Sequence, residues 1–262
     1  MKTLYFSELK LSRISMIIWT AALSFMLAIC ILIYPEMQAQ MENLGNMFGD
    51  MGAFSEAFGM DILNLGEFMG YFSVECGETL GLGGALFAAI VGVTALAKEE
   101  RNRTAEFLLT HPISRQTVVT AKFLSAVTQV TVLDVAAALV TLVCVLALRL
   151  EADAGKMALL FLALLLSHIE MVALTFGISA MMRRGEIGAG LGVAFGMYFF
   201  NLLANLTEDL EFFKYFTPFG YADGSYIVSE GKIHLGYLSV GLAFAIAAVL
   251  FAYFKYTKKD IH

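Results

Sequence analysis

ISMIIWTAALSFMLAICILIY, residues 14–34, runs for 21 residues without one Asp, Glu, Lys or Arg. A helix rises about 1.5 Å per residue, so this run is long enough to cross the roughly 30 Å hydrocarbon core of a bilayer. A secretory signal has an apolar core of only about 7–15 residues, followed by a small-residue cleavage site. Residues 14–34 exceed that length and no such site follows, so the run reads as a retained span. The residues before it carry Lys2, Lys10 and Arg13, with Leu4, Tyr5, Leu9 and Leu11 between them. That mixture suits a short interfacial helix lying on the inner membrane surface.

Five more runs have similar character: 73–97, 117–147, 157–181, 187–205 and 237–254. The composition agrees, with 59% hydrophobic residues, 15% charged residues and a mean hydropathy of +0.75. A water-soluble domain could not bury so much apolar surface, so the bilayer is the natural solvent. The fold class expected is an all-α polytopic membrane protein, a single transmembrane domain over 1–262 with six transmembrane helices. Cys30, Cys76 and Cys144 each lie inside an apolar run, which is packing rather than a disulfide framework. The net charge of −6 argues against a nucleic-acid partner.

Charge also orients the chain. Of the 17 Lys and Arg residues, only Arg149, Lys156, Lys214 and Lys232 fall on one side of the six-span map. The other thirteen share a side with the N-terminus, and cytoplasmic loops are the Lys/Arg-rich ones. Both termini are therefore expected inside, in a plasma membrane. Residues 35–72 then lie outside. They hold six acidic residues and no basic one, and Met37, Met41, Leu44, Phe48, Met51, Phe54 and Phe58 recur at steps of three and four. This is an amphipathic helical stripe. It reads as a lid over the spans, as a pliable vestibule for an apolar substrate, or as a copper-capturing methionine set.

The segment KEERNRTAEFLLTHPISR, residues 98–115, separates the second and third runs. Glu99 stands four residues before Arg103, a pairing that supports a helix. Pro112 stops that helix, and Ser114 caps the next. A plain connector needs only a few turn residues, yet this one presents charge together with Phe107, Leu108 and Leu109. The residues Glu99, Glu100, Thr104, Glu106, Leu108, Leu109, Pro112, Ser114, Arg115 and Lys122 resemble the first cytoplasmic loop of ABC type-2 exporter permeases. Many members have a glycine where Arg103 stands. The six-span layout and the Thr217-Pro218-Phe219 segment before the last span agree with that family. The resemblance implies a cytosolic coupling helix, in which Glu99, Glu100, Arg101, Arg103, Thr104, Glu106, Phe107, Leu108 and Arg115 dock on an ABC ATPase subunit. It also implies a second permease subunit, identical or related. It implies export of a hydrophobic or amphipathic substrate such as a peptide, lipid or drug.

No G-x-x-x-x-G-K-[ST] phosphate loop, H-E-x-x-H or G-x-S-x-G occurs. The chain is thus expected to be no enzyme by itself, to hold no metal or cofactor, and to leave ATP and Mg²⁺ to its partner. Small residues repeat every four positions at Gly77 and Gly81 in the second run, and at Gly188, Gly192 and Gly196 in the fifth. Such faces let helices approach closely, either within one subunit or across a dimer seam. Asp134, His168 and Glu170 lie within the third and fourth runs, and a hairpin turning near residue 152 brings them level. An unpaired carboxylate at a helix centre costs about 2.5–3.5 kcal/mol. The three form a polar brace, or the proton relay of a stand-alone secondary transporter. A membrane scaffold without transport is a third class. Glu75 and Glu78, near the outer end of the second run, reach water and need no special role.

Overall fold

A computed structural model describes residues 1–49, 52–60, 62–98, 114–182 and 186–258. The described residues are mostly helical and include no strand. Six helical stretches are long and apolar enough to cross a membrane. The first helix, α1 (Lys2–Gly49), is longer than expected. Residues 2–13, expected to form a separate surface helix, are instead continuous with the first span, and the helix runs on through Pro35. Proline removes one backbone donor, which transmembrane helices tolerate when neighbours re-satisfy the backbone. One turn earlier the Tyr71 hydroxyl donates to the Cys30 carbonyl at 3.1 Å. The methionine-rich stripe is thus divided between the end of α1 and the short α2 (Ala53–Ala57).

The second span combines α3 (Phe68–Cys76), a wide π-turn over Gly77–Leu82, and α4 (Gly83–Ala95). The third and fourth are α5 (Arg115–Leu148) and α6 (Ala154–Ser179). Their hairpin is sharp for a local reason. Arg149 takes a left-handed φ of 54° that ends α5, and Asp153 caps α6 by accepting from the N–H groups of Gly155 and Lys156 at 2.8 and 3.1 Å. Next come α7 (Ile187–Leu206), a 3₁₀ segment over Glu208–Phe216, α8 (Gly224–Glu230) and α9 (Leu235–Lys258).

The second and fourth spans are the heart of the bundle, each with 56% of its most apolar window buried, against 17% for α7. Contacts run from α4 to α6 and α7, from α1 to α5, and from α6 to α9. The starts of α1 and α5 and the ends of α4 and α9 meet at one end of the bundle, the terminal end. The opposite, distal end gathers α2, α3, the end of α7 and α8.

Candidate functional site

Three polar constellations divide the bundle by depth. At the terminal end, Glu8 of α1 accepts from Lys98 Nζ at 3.2 Å and from Lys122 Nζ at 2.9 Å. Lys122 is 2% exposed, a depth at which lysine requires a charge partner. Ser179 Oγ of α6 accepts from the N–H groups of Leu96 and Ala97 at 3.0 and 3.3 Å, satisfying donors at the end of the second span. The Ser114 hydroxyl accepts from Thr117 N at 3.2 Å and caps α5 as its sequence position suggests. The Arg115 guanidinium donates to the carbonyls of Tyr256 and Thr257 at 3.4 and 3.2 Å, near the end of α9. Glu99, Glu100, Arg101, Arg103, Thr104, Glu106, Phe107 and Leu108 lie outside the described residues. What is described is the mount on either side of them. One stem is tied to α1 and α6, the other to α1 and α9.

In the middle of the bundle, His168 Nδ1 stands 2.9 and 3.0 Å from the two carboxylate oxygens of Asp134. Its Nε2 faces the Gly81 carbonyl at 3.3 Å. A carbonyl only accepts, so Nε2 carries hydrogen. One further proton then lies between Nδ1 and Asp134, and the pair is neutral overall wherever that proton sits. His168 is fully buried and Asp134 is 3% exposed, so neither charge meets lipid alone. The ring has room because Gly84 faces it, and a methyl group at Gly84 would collide with the imidazole. The π-turn is the part of the second span that presents the Gly81 carbonyl.

Glu170 does not join this pair. Its carboxylate accepts from the Tyr221 hydroxyl at 2.8 Å and lies against Gly241 of α9. Residues two apart on a helix point to nearly opposite faces, so one hairpin could not bring both His168 and Glu170 to Asp134. The expected three-residue cluster is therefore two separate polar contacts.

The glycines also sort differently from their motifs. A side chain at Gly92 would meet the Val172 carbonyl at 2.7 Å, and one at Gly190 would meet the Ala89 carbonyl at 2.8 Å. With Gly84, these are the close approaches that seat α4 on α6 and α7. Gly81 reaches only ordinary contact with Leu164, at 3.4 Å. Gly77, Gly188, Gly192 and Gly196 meet nothing within 4 Å. The α7 repeat is thus not a packing face among the described residues.

At the distal end, Glu78 is far from idle. It accepts a short hydrogen bond from the Tyr198 hydroxyl of α7 and lines a small cavity. Sequence spacing gave no sign of this contact, because it joins helices 120 residues apart. Nor did it signal Tyr221, which arrives from a loop. Glu8 was hidden in another way: surface helices routinely carry acids, and nothing local marks one as a hub. Among the described residues no group of three His, Cys, Asp or Glu side chains could hold a metal ion.

Six apolar helices, with polar contacts on either side of the charged segment and a buried mid-bundle pair, describe a multi-pass membrane protein. No curated protein matches the chain. A family model described as ABC-2 family transporter protein matches residues 3–261, and the chain therefore belongs to the ABC-2 family of transporter membrane proteins.

Proposed function

We propose that the chain is the permease subunit of an ATP-driven exporter in a bacterial plasma membrane, with its terminal end in the cytosol. It moves a hydrophobic or amphipathic substrate of the peptide, lipid or drug class. Separate ATPase subunits hold ATP and Mg²⁺ and dock on residues 99–113. A second permease subunit, identical or related, packs against α7, where Gly188, Gly192 and Gly196 are left open.

The observation that supports this reading is the mount. The stems of the charged segment are tied by Glu8 to α1, by Ser179 to α6 and by Arg115 to α9. A loose connector transmits nothing, whereas a braced one passes a push at its tip to the spans it joins. The Asp134–His168 pair is read as a brace. It is sealed from both ends of the bundle and separated from Glu170, an arrangement that offers a proton no path through the three.

The test reverses the charge of the segment. In Glu100→Lys with Glu106→Lys, ATP-driven transport should fall at least tenfold while the melting temperature stays unchanged. Full ATP-driven transport in that variant would sink the docking assignment. Orientation is tested separately, with single cysteines at Asn43 and Arg103 in a background lacking Cys30, Cys76 and Cys144. An impermeant thiol reagent should label Asn43→Cys from outside and Arg103→Cys only from inside. Labelling of both from one side would overturn the topology.

A further inference from the structure

At the distal end, a cavity of about 60 Å³ lies between the second span, α7 and the start of α8. It shares Asn205, Asp223 and Ser225 with a wider cleft of about 670 Å³, so the small recess opens from the larger one. Among the described residues no Lys, Arg or His lines the recess.

Its donors are almost all engaged elsewhere. The Ser73 hydroxyl donates to the Gly70 carbonyl at 2.9 Å, and the Ser225 hydroxyl to Asp223 Oδ1 at 2.6 Å. The Tyr198 hydroxyl donates to Glu78. The Asn205 amide nitrogen donates to the Ala57 carbonyl at 2.9 Å, which fixes the orientation of that amide. What remains is a set of acceptors. The side-chain oxygens of Asn201 and Asn205 are buried with no donor, and Glu78 and Asp223 each keep a carboxylate oxygen. The N–H groups left over are those of the Asn201 amide and the second one of Asn205, and among the described residues none of them bonds to these oxygens. Asn201 and Asn205 are four residues apart, hence on one face of α7. An unpaired buried acceptor costs about 1–3 kcal/mol, and two of them beside two carboxylates call for a positive partner.

We propose that this recess binds a compact cation, either an alkali-metal ion or the primary ammonium head of a larger molecule lying in the adjoining cleft. Both offer positive charge and no acceptor. The volume admits such a head, since a single water needs about 10–15 Å³ of space measured in this way. A bulky quaternary ammonium fits neither the size nor the bonding. The proposal concerns binding by this chain alone and does not depend on export or on an ATPase.

The test uses the purified full-length chain in detergent, with thermal unfolding followed at constant ionic strength. Choline chloride is replaced stepwise by sodium, potassium or methylammonium chloride. At about a hundredfold excess over Kd, binding should raise the melting temperature by roughly 5 °C, saturably. A rise with sodium or potassium identifies a free ion, and a rise with methylammonium alone identifies an amine head. Glu78→Gln keeps the shape and the Tyr198 contact but should weaken binding at least tenfold. Asn201→Asp adds charge without adding volume and should tighten it about tenfold. A melting temperature indifferent to the cation, or a shift equal in the parent and both variants, overturns the proposal.

Discussion

The second span and α7 carry the same small-residue spacing and have opposite fates. Along the second span, Gly84 and Gly92 sit where α6 presses closest, and His168 occupies the space that Gly84 leaves. Along α7, Gly188, Gly192 and Gly196 look outward at nothing within this chain, and only Gly190, on another face, is packed. Spacing therefore marks a smooth helix face, but not whether anything packs on it. In the second span the glycines admit a polar pair that needs shelter. In α7 they keep a surface smooth. The first is a requirement of folding, the second is what the proposed dimer asks of its seam, and substitutions should separate the two.

The largest effect is expected at Gly84. A valine there must displace an imidazole held on both nitrogens, by Asp134 and by the Gly81 carbonyl. Overpacking a well-filled interior costs about 1–3 kcal/mol, and losing the His168 contacts adds to it. Thermal unfolding in detergent should register Gly84→Val as more destabilising than any change at Asp134 or Gly192. A melting temperature equal to that of the parent would mean that the second span is not seated on His168, and the contrast with α7 would lose its first half.

Asp134 sharpens the same half. Asp134→Leu removes the partner of a buried histidine and leaves Nδ1 facing hydrocarbon, at a cost of about 1–2 kcal/mol on the scale of membrane hydrogen bonds. Asp134→Asn still hydrogen-bonds the ring, its amide N–H donating to the bare Nδ1 of the neutral imidazole, and should cost less than about 1 kcal/mol. Equal losses in the two would show that the carboxylate charge, rather than the hydrogen bond, holds the seam. The pair would then be a charge site and not a brace.

The six spans were legible because length and hydropathy are one-dimensional properties. The expected runs at 117–147 and 187–205 differ from α5 and α7 by only one or two residues at each end. Depth was legible within a turn: counting outward from the turn near residue 152 set Asp134 level with Glu170 and two residues from the level of His168, which is the one it meets. Rotation about the helix axis was harder. The two-residue offset between His168 and Glu170 already places them on opposite faces, yet a search for charge pairs at equal depth ignores that angle. Contacts made by arrival from elsewhere could not be read at all. Tyr221 reaches Glu170 from a loop, Tyr198 reaches Glu78 across 120 residues, and Arg115 finds carbonyls at the far end of the chain. Each depends on the assembled bundle, and no local pattern encodes it. Glu78 was set aside as a water-facing acid for this reason, and the structure makes it a wall of the distal recess.

The smallest effect on stability, and the clearest test of the comparison, belongs to Gly192. Its surroundings are empty within this chain, so Gly192→Leu should change the stability of the detergent-solubilised monomer by no more than about 0.5 kcal/mol, as substitutions away from packed features do. The same leucine should obstruct a close helix–helix approach across α7, where small residues permit backbone contact. Light scattering at rising protein concentration should therefore show the parent associating and Gly192→Leu remaining monomeric. Gly192 and Gly84 then give opposite signatures: one alters mass and not stability, the other stability and not mass. If Gly192→Leu instead unfolds the monomer as readily as Gly84→Val, the α7 face is packed within the subunit after all. The second permease subunit would then have to dock elsewhere, on the exposed apolar faces of α1 or α9.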